Sequence, residues 1–240
     1  LTHSSVLSTL IREYPRLPWF KLLNESSLQV MSVLKDTQRN IKDTANITGL
    51  HRHTVSSAIN RLSIYGIILK DGNGYYLNQK HRIIKFVDYY WSYINNKKLK
   101  NIAKQGIIIW ERGPEFLFKT DVSPDINVDE KVQPTALTIF HRYGLNVTTE
   151  LGYYFYGKRK LQVEDFIIHT ILIEPGNAIY NSYALALYTK SNATKLLVYS
   201  RYYNMQYHVN NLLKFLDKKE KINRYTLPWN EHKEIVYSLV

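Results

Sequence analysis

Residues 51 to 61, HRHTVSSAINR, gather the side chains of this sequence best suited to hold an anion. His51, Arg52 and His53 open the stretch and Arg61 closes it. Thr54, Ser56, Ser57 and Asn60 place short hydrogen-bonding groups between them. Arginine forks onto phosphate or guanine, and serine, threonine and asparagine meet base edges or phosphate oxygens. That chemistry is recognition rather than catalysis. Val55, Ala58, Ile59 and Leu62 recur at i, i+3, i+4 and i+7, so the stretch predicts a helix with one buried face. On that helix Arg52, His53, Ser56, Ser57, Asn60 and Arg61 point outward. His51 and His53 stand two apart with no carboxylate or third histidine beside them, which suits a cap and a phosphate contact better than a metal site.

Other chemistries find little support. The chain has no Gly-x-x-x-x-Gly-Lys-Ser/Thr loop, no Gly-x-Gly-x-x-Gly, no Gly-x-Ser-x-Gly and no His-Glu-x-x-His. It has no cysteine, which removes thiol nucleophiles, thiolate metal sites and disulfides. Asp121, Asp125 and Asp129 recur every fourth residue like a cation loop, but without the glycine and closing glutamate of one, so a solvated acidic loop is expected. The stretch YYFYGKRKL, residues 153 to 161, sets aromatics beside Lys158, Arg159 and Lys160. Such a pattern can stack the bases of a single strand. The favoured alternative is a strand whose tyrosines pack inward and which ends in a basic turn, a possible second phosphate contact. No catalytic residue, cofactor or metal is expected.

The elements that would position residues 51 to 61 are legible around them. A short amphipathic helix over 5 to 22 is interrupted near Pro15 and Pro18. ESSLQVMSVLKD and NIKDTANITGL carry helical spacings, the second with Ile41, Ala45 and Ile47 inward and Gly49 as its stop. Gly66 ends the third helix. Ile67 to Leu69 and Tyr75 to Leu77 flank a glycine-containing turn and predict a hairpin. Three helices and a hairpin in this order predict a winged helix-turn-helix at about residues 24 to 80. Its recognition helix, 51 to 65, would enter the major groove of double-stranded DNA. Its wing, 67 to 77, would bring Lys70 and Asn73 to the backbone or minor groove, with a modest contribution because Lys70 is the only cation at the tip.

The rest of the chain reads as an α+β protein with three parts: residues 1 to 80, a helix over 81 to 105, and a second α+β domain over 106 to 240. The 81 to 105 helix is apolar on more than one side, which suits packing on a second copy or on the second domain. In the second domain, TALTIFHRYG fits either helix or strand. QVEDFIIHTILI predicts a buried helix with Glu164 and Asp165 near its positive end, three further helices follow, and the final stretch is expected to dock as a tail. The net charge of +12 is uneven: residues 1 to 104 hold 16 Lys and Arg against 6 Asp and Glu, the remainder 16 against 14. A basic first part beside a nearly neutral second points to a polyanion partner for the first. No apolar run reaches the length of a spanning helix and the opening residues lack a leader pattern, so a cytoplasmic protein without membrane contact is expected.

The N-terminal block resembles archaeal and bacterial winged-helix transcription regulators. The second half, with YYFYGKRKLQVEDFIIHTILI, NSYALALYTK and LLVYSRYYNMQYHVNNLLKFLD, is similar to the nucleotidyltransferase-like domains fused to such helices in abortive-infection (AbiEi-like) antitoxins and their archaeal relatives. Active nucleotidyltransferases carry Gly-Ser followed by Asp-x-Asp, which holds metal and triphosphate. This chain has neither. The resemblance therefore implies a catalytically silent second domain that senses, dimerises or binds a protein partner. By analogy it also implies an antitoxin-like role, binding its own promoter and neutralising a toxin.

Overall fold

The computed structural model describes residues 3–121 and 131–238. Pro15 and Pro18 divide the start of the chain into α1 (His3–Glu13) and the single turn α2 (Trp19–Leu22). α3 (Glu25–Leu34) begins where the Asn24 side chain accepts the Ser27 backbone N–H at 2.9 Å, and every residue from Ser27 to Leu34 is buried. α4 (Ile41–Thr48) is capped in the same way by Asn40, which accepts from Asp43 at 2.8 Å. It stops at Gly49, whose φ of +68° lies in the left-handed region that glycine enters without a side-chain clash. α5 (Arg52–Ser63) follows at once. β1 (Ile68–Asp71) and β2 (Gly74–Leu77) pair antiparallel, with Ile68 opposite Leu77 and Asp71 opposite Gly74. Arg39 and Tyr75 exchange both backbone hydrogen bonds, at 3.0 and 2.8 Å, so the segment between α3 and α4 adds a rung beside β2. Neither Arg39 nor its neighbours carry a strand pattern that would have announced this rung.

α6 (Ile83–Ile102) completes the first part. Leu28, Met31 and Leu34 of α3, Val55, Ile59 and Leu62 of α5, Ile68 and Leu77 of the hairpin, and Phe86, Val87 and Trp91 of α6 form one buried cluster. Each such large side chain contributes about 1.5–3 kcal/mol by leaving water. The Trp91 indole N–H donates to the Leu28 carbonyl at 3.2 Å. The apolar face of α6 therefore finds its partner within the first part of the chain. On the same helix Tyr89 and Tyr93 remain exposed, at 39% and 50%.

The chain divides into two compact units, one of residues 1–99 with 111–116, the other of residues 100–110 with 117–240. In the four-stranded sheet β3 (Ile107–Arg112), β4 (Glu115–Asp121), β5 (Val132–Pro134) and β6 (Leu151–Tyr156) lie in the order β3-β4-β6-β5. β5 and β6 run antiparallel, with Val132 opposite Tyr156. Residues Ala136–Tyr143, ambiguous in sequence, form a 3-10 helix. α7 (Val163–Ile173) opens with a capping box in which Gln162 and Asp165 serve each other's backbone N–H groups. α8 (Ala178–Ala186), α9 (Ala193–Tyr202) and α10 (Gln206–Lys218) follow, and the C-terminal stretch folds as α11 (Trp229–Ser238), packed on α8. The architecture is mixed α and β. Among the described residues no helix is long and apolar enough to cross a membrane.

Candidate nucleic-acid interface

α5 has the two faces that its spacing predicts. Val55, Ala58, Ile59 and Leu62 are at most 1% exposed, while Arg52, His53, Thr54, Ser57 and Asn60 are exposed and Ser56 is half-buried. Among the described residues, the side chains of Arg52, Thr54, Ser56, Ser57 and Asn60 are committed to no partner within the chain. His51 is the cap. Its Nδ1 accepts the His53 backbone N–H at 3.4 Å, a long bond, and its ring stacks on that of His53 with centroids 5.3 Å apart. Arg52 and the two imidazoles thus crowd the end of α5 where unpaired N–H groups and the helix dipole already favour an anion.

Arg61 departs from the expectation. It is half-buried, and its Nη2 donates to the Ser27 hydroxyl at 2.9 Å, tying α5 to the start of α3. Ser27 is itself fully buried, so this is an internal bond rather than an outward anchor. The cause lies in the helix geometry: residue 61 sits at the edge of the polar face, within reach of α3. Arg61 therefore drops out of the outward strip, which carries on past it to the exposed Ser63.

The hairpin tip is fully exposed from Asp71 to Asn73. Lys70 is exposed too, with its ammonium 6.0 Å from the centre of the Tyr75 ring on the facing strand. The Asp71 carboxylate beside it leaves the tip with little net charge.

In the second unit the aromatic strand takes the inward alternative. Tyr153, Phe155 and Tyr156 are buried, while Lys158 and Lys160 are exposed. Arg159 lies over the rings of Phe155 and Tyr203, 5.0 and 5.8 Å from their centres, and pairs with Asp165 at 2.8 Å. It belongs to a polar chain that sequence spacing had not suggested. Tyr203 donates its hydroxyl to Asp165 at 2.8 Å, His169 Nε2 meets that hydroxyl at 2.7 Å, and His169 Nδ1 meets the Thr135 hydroxyl at 2.7 Å. Since Tyr203 spends its one proton on Asp165, it accepts from His169, which assigns the ring proton to Nε2 and leaves Nδ1 accepting from Thr135. Burial, then the nearby Arg159 charge, holds the His169 pKa well below the usual imidazole range, so the ring is neutral. Thr135, Asp165, His169 and Tyr203 are at most 1% exposed. Buried and paired with one another, these four side chains tie the end of β5, α7 and the end of α9 together.

Among the described residues no group of three or more His, Asp or Glu is placed to hold a metal. Asp125 and Asp129 lie outside the described residues. No family model matches the chain, and no curated protein or solved structure matches it.

Proposed function

We propose that the protein is a sequence-specific double-stranded DNA-binding regulator, with its first unit acting as a winged helix-turn-helix. α5 would lie in the major groove and the β1–β2 hairpin would serve as the wing. The observation that carries the reading is the outward strip of α5. Arg52, Ser57 and Asn60 are exposed and unspent on a rigid helix whose other face is fully buried. The setting supports it, since the net charge of residues 1 to 104 is +10. Arg52 would hold phosphate or guanine at the helix start, and Ser57 and Asn60 would meet base edges. Lys70 and Asn73 would add weaker backbone contacts. The reading assigns the chain no catalytic step.

The test is a fluorescence-anisotropy titration of duplex DNA, random and from the region upstream of the protein's own gene, at two salt concentrations. Affinity that falls steeply with salt and is lost by Arg52→Ala/Asn60→Ala supports the proposal. Absence of binding to both duplexes at low salt removes it.

A second reading, a protein-interaction module of antitoxin-like type with a catalytically silent second unit, draws on a different observation. Phe20 and Ile64 are 81% and 76% exposed, large apolar side chains of the sort that a protein partner covers. Toxin-dependent protection of these two positions, with DNA binding absent, would favour it.

A further inference from the structure

A pocket of about 270 Å³ opens in the first unit, away from α5. Its walls come from α3 and the residues just after it (Ser32, Lys35, Asp36), from α6 (Asp88, Trp91) and from the end of β3 at Glu111 and Arg112, all counted with that unit. Two ion pairs cross these walls. Lys35 Nζ meets both Asp88 carboxylate oxygens at 2.8 Å, and Arg112 Nη2 meets Asp36 Oδ2 at 2.8 Å. Glu111, also on the wall, adds a third carboxylate, which accepts from the Asn95 side-chain amide at 3.0 Å. Trp91 has already committed its indole N–H to Leu28, so it offers the pocket only apolar ring surface.

We infer that this pocket is a binding site for a small zwitterion of the α-amino-acid class. The volume lies just below the usual range of ligand pockets, a size that suits a molecule as small as an amino acid. The charges select the class. A simple anion would face Asp36, Asp88 and Glu111, and a simple cation would face Lys35 and Arg112. A ligand carrying ammonium and carboxylate a few bonds apart can take over both halves of the Lys35–Asp88 pair, its carboxylate on Lys35 and its ammonium on Asp88, while its side chain meets the small part of Trp91 that reaches the pocket. The Lys35–Asp88 pair is the one that would open to admit it. Its side chains are 29% and 49% exposed, so water already screens the pair and parting it is cheap. The Arg112 side chain is 5% exposed and stays in place as the fixed end of the site. None of these residues belongs to the outward strip of α5, so the inference stands whether or not the chain binds DNA.

The experiment uses the full chain and the twenty free L-α-amino acids as probes, followed by tryptophan fluorescence and isothermal titration calorimetry. For each amino acid that binds, the matching amine without the carboxylate and the matching acid without the amine are titrated beside it. At least one amino acid is expected to bind with a Kd below 10 mM, and both of its one-charge relatives at least tenfold more weakly. Asp88→Asn, half-exposed and therefore tolerated by the fold, is expected to weaken that binding tenfold or more. Trp91→Phe is expected to remove the fluorescence change. The inference is overturned if no amino acid binds, if the amine or the acid binds as well as the zwitterion, or if Asp88→Asn leaves the affinity within twofold.

Discussion

α5 and α7 are helices of nearly equal length, 12 and 11 residues, that treat their polar side chains in opposite ways. α5 buries only its apolar stripe and leaves Arg52, Ser57 and Asn60 in water with nothing to bind. α7 turns Glu164, Asp165, His169 and Thr170 inward and satisfies them there: Glu164 accepts from Asn192 at 2.7 Å, Thr170 donates to the Phe166 carbonyl at 2.8 Å, and Asp165 and His169 join the chain through Tyr203. Polar groups that a protein keeps for itself are buried and paired, because an unpaired buried one costs more than it returns. Polar groups held ready for something else are exposed on a rigid support. By that criterion the molecule faces outward at α5 and inward at α7.

The strongest challenge to the contrast is to strip α7 of its internal partner. Asp165→Ala leaves the Arg159 guanidinium without its carboxylate and should cost about 3–5 kcal/mol of unfolding free energy. Urea denaturation followed through Trp110, whose ring packs 4.7 Å from that of Tyr203, would report it. DNA affinity should stay within twofold while the protein remains folded. A loss under about 1 kcal/mol would mean that the network contributes little beyond filling space.

The two arginines of α5 sharpen the contrast within one helix. Arg52→Ala should weaken DNA binding by about 10- to 100-fold and change stability by no more than about 0.5 kcal/mol. Arg61→Met should do the reverse, costing about 1.5–3 kcal/mol of stability through the abandoned Ser27 hydroxyl and leaving the salt dependence of binding unchanged. If Arg61→Met instead matched Arg52→Ala in affinity, the inward assignment of Arg61 would fail.

Acid should separate the two units. Burial lowers the pKa of His169, His208 and His232 in the second unit and of His81 alone in the first. Above about pH 6.5 both folded and unfolded chains hold these rings neutral, and they add no pH dependence. Below it the unfolded chain takes up protons that the folded one refuses, so stability falls, by up to about 1.4 kcal/mol per pH unit for the fully buried His169. Urea midpoints between pH 7.5 and 5 should therefore drop further for the second unit, and His169→Gln should flatten part of the drop. Lys70→Ala should have the smallest effect, under about threefold in DNA affinity, as for one screened phosphate contact.

α5 and its neighbours were legible because their signals are local: a 3.6-residue apolar period, Gly49 and Gly66 as stops, and an Asp-Gly-Asn-Gly turn between β-rich runs. α7 was legible as a buried helix from its nearly unbroken apolar composition. What escaped was whatever depends on distant partners. Arg61 looks like any outward arginine until Ser27, 34 positions earlier, comes within hydrogen-bonding reach. Thr135, Asp165, His169 and Tyr203 come from three separate segments, and no spacing along the chain reveals that they touch. The 3-10 helix at Ala136–Tyr143 escaped for another reason, since its apolar residues fit either period. The apolar face of α6 was visible, but its partner was not, because amphipathicity says how much a helix must bury and not against what.

If the chain binds DNA as proposed, the inward turn of Arg61 also limits how much sequence one copy can read. The side chains proposed to contact DNA on α5 run from His51 to Asn60, nine residues of helical rise, or about 13 Å. At about 3.4 Å per base pair that spans roughly four base pairs. A four-base-pair word recurs by chance about once in every 256 base pairs, far too often to mark a single promoter. On the proposed reading, the discrimination that a genome demands would then come from a second copy on a neighbouring half-site or from DNA shape beneath the hairpin. A DNA reader with so short a footprint would draw as much information from the spacing between words as from the words themselves.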